Sequence, residues 1–298
     1  MSENLSKESI WAGGNKPFSS SYGKLMMWFF LISDALTFSG FLAAYGFMRF
    51  RNSDIWPVPE DVFTHFPFLQ GEHPLLFVAL MTFILIMSSV TMVLAVNAGN
   101  KNDKKGVILW MALTIVGGIT FLGSQAWEWG HFIKGDKGAI VLSSHEVIHL
   151  ADSDGKLYSF YDLMEVDKYD GTNHQFTIEE VETAFNARPD LSIKRANRSI
   201  ISHSESAKFF KNSKVVLGAN LTHNEYGHQL FADFFYFITG FHGFHVFSGV
   251  VLLIIIFINV LKGTYQRRGH YEMVEKVGLY WHFVDLVWVF VFTFFYLV

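Results

Sequence analysis

Five long apolar segments run through the chain and are separated by polar connections. In order they are roughly Lys24–Met48, Pro74–Asn97, Gly106–His131, Phe231–Leu261 and Val277–Val298. A helix of about 20 residues crosses the hydrocarbon core of a bilayer, so each segment is long enough to span it. Backbone groups cannot stay unpaired in lipid, which requires these segments to be helical. The pattern therefore predicts an all-α integral membrane protein with five transmembrane helices.

A long polar insert separates the third and fourth segments. Within it, "TIEEVETAFNA" begins at Thr177 with a capping residue, early acids and apolar residues at helical spacing, which predicts a helix. The stretch "HEVIHLADSDGKLYSFYDLMEV" is typical of short strands and turns. We therefore expect a small extramembrane α+β unit, and we divide the chain into a tail (1–23), helices one to three (24–133), the insert (134–229) and helices four and five (230–298).

Charge along the short connections predicts the orientation, because basic connections stay in the cytoplasm. The first connection is mainly acidic, and we expect Trp56 to anchor it at the membrane interface. The basic residues of the tail, the second connection and the last connection are Lys7, Lys16, Lys24, Lys101, Lys104, Lys105, Lys262, Arg267, Arg268 and Lys276. We expect a bacterial-type inner-membrane protein with a cytoplasmic N-terminus and with the insert and C-terminus on the periplasmic side.

Composition excludes several classes of function. The 298 residues carry 23 basic and 27 acidic side chains, and no basic patch suited to nucleic acid is present. The chain has no cysteine, which excludes disulfides, thiolate metal sites, iron–sulfur clusters and covalently attached c-type haem.

Small residues in the third and fourth segments are spaced for close helix contacts. We expect tight helix packing at all six of these glycines, which are Gly117, Gly118, Gly123, Gly240, Gly243 and Gly249.

Four acids lie within the apolar segments. Asp34 is near the middle of the first, where an unpaired carboxylate is costly. It is either a proton-linked or lipid-facing acid, or a neutral carboxyl in a helix–helix hydrogen bond. Glu128 and Asp233 lie near the outer ends of their segments, where we expect structural roles and access to interfacial water.

The fourth acid, Asp285, belongs to a group with three histidines. His242 and His245 are three residues apart, and so are His282 and Asp285, so each pair shares a helix face. Facing one another, the pairs would offer either a metal-ligand set or a buried polar network. The network is the more common outcome for such spacing.

Several motifs in order resemble subunit III of the haem–copper oxidases, in its cytochrome c oxidase form. The most specific are "TGFHGFHVFSG" (Thr239–Gly249) and "YWHFVDLVWVFVF" (Tyr280–Phe292). Others are "ISDALTFSGFLAAY", the pair Trp56 and Pro57, the helix start "PLL" (Pro74–Leu76) and a helix end with Gln125, Ala126 and Glu128. The resemblance runs through all five segments and leaves the insert out.

The chain departs from this family in three places besides the insert. It lacks the first two helices of the family's fuller form, which form one arm of a lipid-filled cleft. Asp34 stands where the family has a buried glutamate. Asn259 stands at a basic position linked to lipid phosphate, with Lys262 one turn later.

The resemblance implies an accessory, non-catalytic subunit of a proton-pumping aerobic terminal oxidase. In this family haem and copper lie in subunits I and II, while subunit III packs on subunit I, supports proton uptake and binds phospholipid. The chain itself is then expected to bind no metal or redox cofactor. His242, His245, His282 and Asp285 become a structural network, and Asp34 becomes a proton-linked or lipid-facing acid. Lys262, Arg267 and Arg268 are candidate lipid-headgroup ligands, and the insert suggests an extracytoplasmic partner.

Alternatives remain at this stage. Subunit III of a quinol oxidase would differ little in sequence, because subunit II decides electron entry. A stand-alone transporter would use Asp34 and the histidines as a proton relay, but the five segments show no inverted repeat. A metal-dependent membrane enzyme would need a polar route to the histidines.

Overall fold

Five helices among the described residues are long and apolar enough to cross a membrane, as the sequence predicts. The computed structural model describes residues 21–67, 69, 73–166 and 174–297, so the predicted tail with Lys7 and Lys16 lies outside the described residues. We call the helices spans one to five, and their bounds are Tyr22–Arg51, Leu76–Asn100, Lys104–Lys134, Gln229–Leu261 and Glu272–Leu297.

The spans extend beyond the apolar segments, most clearly at the start of span five. Span five begins at Glu272 rather than at the predicted Val277. Its first turn is held by ion pairs of Lys276 with Glu272 (3.0 Å) and of Lys24 in span one with Glu275 (2.6 Å). A hydropathy pattern ends at the first charges, whereas a helix continues through the polar interface wherever its charges are paired.

Hydrogen bonds from buried tryptophans join span five to span two. Trp281 Nε1 donates to Ser88 Oγ at 3.1 Å, and Trp288 Nε1 donates to Thr82 Oγ1 at 3.0 Å. Both indole rings are fully buried. Lipid chains are as apolar as the side chains, so apolar contact alone does little to favour association of helices in a membrane. Close packing and such hydrogen bonds hold the helices together instead.

Four of the six glycines are close helix contacts, which confirms the prediction for them. A Cβ added at Gly118 would lie 2.6 Å from Trp281, and one at Gly117 would lie 2.8 Å from Ser88. Added Cβ atoms at Gly240 and Gly249 would each approach a tryptophan ring at 3.0 Å. The prediction is wrong for two positions, since an added Cβ would meet nothing within 4 Å at Gly123 and Gly243.

The insert folds as a small α+β unit, which confirms its predicted class. Its strands are β1 (Ala139–Val141), β2 (Val147–Ala151), β3 (Leu157–Tyr158), β4 (Ser192–Lys194), β5 (Ile200–Ile201) and β6 (Lys214–Val216). Among the described strands the order is β5-β4-β2-β1-β6, with β3 beside β2 and all pairings antiparallel. Short helices cover the sheet at Phe160–Leu163, Ile178–Asn186 and His203–Phe210.

The helix predicted from "TIEEVETAFNA" is present and begins where the capping pattern indicates. Glu180 N donates to Thr177 Oγ1 at 3.3 Å, and Thr177 N donates to Glu180 Oε2 at 2.8 Å. This reciprocal pair satisfies two backbone donors that the first turn would otherwise leave free.

The first connection lies beneath the insert instead of facing lipid. It contains the short helix Pro59–Val62, and its Trp56 is buried at 7% exposure. Trp56 Nε1 donates to the Tyr45 hydroxyl at 3.3 Å, and its ring stacks on His228 at 5.6 Å between centroids. The expected role of Trp56 as an interfacial anchor is therefore wrong, because residues preceding span four cover it. At the other end of the bundle, the short helix Thr264–Arg268 joins spans four and five.

Candidate functional site

The partly buried acid of span one lies beside a histidine of span four. Asp34 Oδ2 lies 3.3 Å from His245 Nε2, and the two side chains are 17% and 9% exposed. His245 Nδ1 lies 2.8 Å from the carbonyl oxygen of Phe241, one turn earlier. Both ring nitrogens of His245 are thus engaged, one by its own helix and one by another span.

The contacts of His245 fix which of its ring nitrogens carries a hydrogen. A carbonyl oxygen only accepts, so Nδ1 of His245 carries a hydrogen. Nε2, the other ring nitrogen, faces the Asp34 carboxyl across the contact between spans one and four.

Aromatic rings surround the pair. Phe38 of span one and Phe241 of span four pack on the His245 ring with centroids 5.4 and 4.6 Å away. The Tyr280 hydroxyl of span five bonds to Ser248 Oγ at 2.7 Å and donates to the His245 carbonyl at 3.3 Å. Span five therefore supports the histidine from a third side.

His242 ties span four to span five through the backbone. Its Nε2 donates to the Val284 carbonyl oxygen at 3.1 Å, and the residue is fully buried. Its ring packs on Phe121 and Trp288 with centroids 5.7 and 5.1 Å away.

His282 and Asp285 do not join the other two histidines. His282 Nδ1 lies 2.7 Å from Ser89 Oγ of span two. Neither carboxylate oxygen of Asp285 has a hydrogen-bond partner in the described part of the chain. The predicted single network of His242, His245, His282 and Asp285 is therefore not what the structure shows.

The reason is helical geometry. Side chains three positions apart differ in direction by about 60°, so each can meet a different neighbouring helix. Within the described ranges, no three His, Asp or Glu side chains converge as a metal-ligand set. The three histidines each stabilise a different contact: span four to span one, span four to span five, and span five to span two.

Glu128 is buried, in contrast to the expected access to interfacial water. It is 5% exposed, and its Oε2 accepts from Gln125 Nε2 at 2.9 Å and from the Tyr296 hydroxyl at 3.0 Å. Tyr296 lies in the π-helical last turn, Thr293–Leu297, which covers the carboxylate. Asp233 is only partly buried, although its Oδ1 is enclosed without a partner among the described residues.

The candidate headgroup residues are exposed at the end of the bundle opposite the insert. Lys262, Arg267 and Arg268 follow span four around the short helix Thr264–Arg268. In the same region Lys104 Nζ donates to the Leu261 carbonyl at 3.0 Å. This end of the molecule thus presents cations at a membrane interface.

A carboxylate that the sequence analysis missed anchors the insert. Glu225, just before span four, is buried and accepts backbone hydrogen bonds from Asp136 N (2.6 Å), Lys137 N (3.3 Å) and Gly218 N (2.5 Å). His149 Nε2 of strand β2 donates to the Glu225 carbonyl at 2.7 Å. Burial raises the pKa of Glu225 and lowers that of His149 to about 4. Because these partners of the Glu225 carboxylate are backbone groups, they leave no motif of side chains in the sequence.

The comparisons with known proteins agree with this architecture. The family model described as cytochrome c oxidase subunit III matches residues 2–134 and 220–298, which leaves out most of the insert. Cytochrome c oxidase subunit 3 of Alkalihalophilus pseudofirmus is 25% identical over 273 residues, covering 92% of this chain and 85% of that protein. The protein of the same name from Thermostichus vulcanus is 26% identical over 274 residues, covering 90% and 83%.

A shorter match has a higher identity. Cytochrome c oxidase subunit 3 of Synechocystis is 46% identical over 70 residues, which is 23% of this chain and 30% of that protein.

Together, the five spans and the family match define the protein as a multi-pass membrane subunit of a respiratory terminal oxidase. The chain belongs to the cytochrome c oxidase subunit III family. As a member of that family it assembles with other oxidase subunits.

Proposed function

We propose that this chain is an accessory, non-catalytic subunit that stabilises subunit I and supports proton uptake in a proton-pumping oxidase. Haem and copper belong to the partner subunits, and this chain holds neither. The observation that carries the proposal is how the three membrane histidines are used. His242, His245 and His282 are engaged by a carbonyl, a carboxyl and a hydroxyl on three different spans, an arrangement that stabilises a bundle.

The Asp34–His245 pair supports the proton-uptake part of the proposal. It brings two titratable side chains within 3.3 Å of each other inside the helix bundle and is partly exposed on the Asp34 side. A carboxyl in that position can pass a proton to a neighbouring path or face lipid at the bundle surface. We favour the proton-linked role because the histidine gives the proton a second place to reside.

Purification through an affinity tag on this chain tests the accessory role. We expect haem- and copper-bearing subunits to copurify, with the optical spectrum of an oxidase. In a His242→Ala variant, the haem and copper content of the complex should stay unchanged while retention of this chain weakens. A chain that purifies alone with a stoichiometric metal and consumes oxygen would overturn the proposal.

We propose cytochrome c as the electron donor, in keeping with the names of the similar proteins. The alternative donor is a quinol. Oxygen consumption by the purified complex with reduced cytochrome c, compared with a soluble quinol, distinguishes the two. Faster turnover with the quinol would contradict the proposal.

We further propose a bacterial-type inner membrane, with the insert in the periplasm and the basic end in the cytoplasm. Lys262, Arg267 and Arg268 would then contact anionic phospholipid headgroups, and the insert would contact an extracytoplasmic partner. The gathering of these cations at the end opposite the insert supports this orientation. Protease accessibility of the insert in spheroplasts tests it, since an insert protected until lysis would contradict it.

A further inference from the structure

A cleft lies between the sheet of the insert and the first connection. Along strand β2, Ile148 and Leu150 belong to the core of the insert, so His149 between them lies on the opposite face of the sheet. Lys194 of strand β4 is directly opposite His149 in the antiparallel pairing, which places it on the same face. Together with residues 55–58 of the first connection, these two residues line a cleft with a volume of about 60 Å³.

The ammonium group of Lys194 has unused hydrogen-bond donors in this cleft. Its side chain is 20% exposed, so a small solute can reach it. In the described part of the chain its Nζ makes an ion pair with Asp61 Oδ2 at 3.8 Å, which is too long for a hydrogen bond. An ammonium group carries three donors and no acceptor. His149 beside it adds no charge, because burial lowers the pKa of His149 to about 4.

Positive charge exceeds negative charge around the cleft. Arg195 is neutralised by Glu146, since its Nε and its second terminal nitrogen donate to the two carboxylate oxygens at 2.8 and 2.7 Å. Asp61 balances Lys194. Arg198, in the turn between strands β4 and β5, also lines the cleft, and it is exposed without an ion-pair partner among the described residues. The cleft therefore carries one positive charge that no carboxylate balances.

Close backbone contact shapes the floor of the cleft, and its volume limits the ligand. Gly227, just before span four, lines the cleft beside Pro57, and a Cβ added at Gly227 would lie 3.1 Å from the proline ring. A single buried water needs about 10–15 Å³ of such space. The cleft is therefore large enough for a small polyatomic anion.

The position of the cleft relative to the membrane indicates which anions can reach it. Span one has 30 residues and ends at Arg51. A helix of that length is about 45 Å long, and a bilayer with its headgroups is about 40–45 Å thick. The end of span one thus reaches the headgroup layer on the insert side, and the cleft begins shortly after it, at Ile55. Phospholipid headgroups and dissolved phosphate are both close to this position.

We propose that this cleft binds a phosphate group through Lys194 and Arg198. Phosphate oxygens accept strong hydrogen bonds from ammonium and guanidinium groups. The single negative charge of a phosphodiester matches the unbalanced positive charge of the cleft, while Asp61 stays paired with Lys194. The phosphate belongs either to a phospholipid headgroup or to free phosphate. This site is separate from the basic end of the bundle, and it goes beyond the proposed function.

Equilibrium binding of two probes to the purified, delipidated complex tests the site. The probes are radiolabelled inorganic phosphate and dioctanoyl phosphatidylglycerol, a short-chain phospholipid. The double variant with Lys194→Gln and Arg198→Gln should bind one of them at least about tenfold more weakly than wild type, because charge-assisted hydrogen bonds are lost. Weakening confined to the phospholipid identifies a headgroup site, whereas weakening with inorganic phosphate identifies a site for free phosphate. Equal binding of both probes by variant and wild type would overturn the proposal.

Matched variants separate this site from general electrostatic attraction. Lys208 and Lys211 are exposed on the insert outside the cleft, so the double variant with Lys208→Gln and Lys211→Gln makes the same change in charge and should keep wild-type binding. An equal loss there would overturn the proposal. Arg198→Lys keeps the charge and should retain most of the binding. If Lys194→Gln weakens the fold of the insert, Arg198→Gln alone, at an exposed turn, gives the same test.

A carbodiimide crosslink tests whether protein fills the cleft instead. This reagent joins an ammonium group to a carboxyl group in direct contact with it. A crosslink from Lys194 to Asp61, or none at all, is expected. A crosslink from Lys194 to a carboxyl group of another oxidase subunit would show that a protein side chain occupies the cleft, and it would overturn the proposal.

Discussion

Asp34 Oδ2 and His245 Nε2 lie 3.3 Å apart and connect span one to span four. Span one is the least buried of the five spans, so few apolar contacts hold it in place. A polar contact across this interface therefore contributes more to its position than a similar bond would in the densely packed centre. The same contact brings together two titratable side chains, a carboxyl and an imidazole, from the two spans.

A double-mutant cycle on Asp34 and His245 measures this coupling. We expect Asp34→Leu and His245→Leu each to weaken retention of the chain in the complex. The double variant should weaken retention no more than the more harmful single variant does. The coupling free energy should be about 0.6 kcal/mol, the average for polar contacts between membrane helices, and at most about 1.7 kcal/mol. Thermal dissociation of the chain from the detergent-solubilised complex is the measurement. Additive effects of the two substitutions would show that the side chains do not interact.

Asp34→Asn separates structure from proton transfer. The amide can still donate to His245 Nε2, so retention should stay close to wild type. The amide cannot exchange a proton, so oxygen consumption under steady turnover should fall if the pair feeds proton uptake. Unchanged turnover in Asp34→Asn would argue for a purely structural pair.

Two glycines of span three offer a matched test of helix packing. An added methyl at Gly118 would lie 2.6 Å from Trp281 and 2.8 Å from Val250, whereas at Gly123 it would meet nothing within 4 Å. We expect Gly118→Ala to destabilise the bundle by about 1–3 kcal/mol, as overpacking does. Gly123→Ala should be neutral or slightly stabilising, because alanine favours a helix more than glycine does. Equal effects in thermal unfolding of the two variants would contradict this account.

The fold could be predicted from the sequence because membrane spans are recognisable by their length and hydropathy. The mixed insert was also predictable, since capping and strand-like patterns are local. The contacts of individual side chains were not. The spacing of His282 and Asp285 is the same whether they face span two or span four, and only the packing of the helices decides between these. Hydropathy likewise cannot show that a π-helical turn covers Glu128 or that the insert covers Trp56.

Tyr296 and Glu128 form a buried contact whose loss is measurable. The Tyr296 hydroxyl donates to Glu128 Oε2 at 3.0 Å. Tyr296→Phe should destabilise the bundle by about 1–3 kcal/mol, because a buried carboxyl loses a donor. In a Glu128→Leu background the same substitution should cost much less, since no acceptor is left unsatisfied. Thermal unfolding of the four proteins in the cycle gives the comparison, and an equal cost in both backgrounds would disprove the contact.

Glu225 should hold the insert on the membrane helices. Its carboxylate accepts three backbone hydrogen bonds. An amide at this position would place its N–H group against a backbone N–H group, and two donors cannot hydrogen-bond to each other. We expect Glu225→Gln to loosen this junction by about 1–3 kcal/mol. Faster hydrogen exchange at Gly218 and Asp136 is the expected signal. Glu179→Gln, on an exposed helix of the insert, is the control and should not change exchange at the junction.

The same junction should weaken in acid through His149. Burial lowers the pKa of His149 to about 4 from its usual 6.5, so the folded insert keeps it neutral. Between these two values an unfolded insert binds a proton that the folded insert does not, and stability therefore falls as the pH falls through that window. Burial also raises the pKa of Glu225, and this has the opposite effect on stability. The folded insert binds a proton at Glu225 more readily than the unfolded insert does, so the contribution of Glu225 to stability is lost as the pH rises.

His149→Gln isolates the histidine contribution. Its amide can replace Nε2 as the donor to the Glu225 carbonyl, but it does not titrate. We expect the stability advantage of wild type over His149→Gln to shrink by up to about 3 kcal/mol between pH 7 and pH 4, since each unit of pKa difference corresponds to about 1.4 kcal/mol. The chain lacks cysteine, so an Ala151→Cys reporter, buried in strand β2, can be added to both proteins and its labelling rate followed against pH. Because Glu225 is present in both proteins, its own pH dependence cancels in the difference. Parallel pH profiles would show that His149 is not the group that responds to acid.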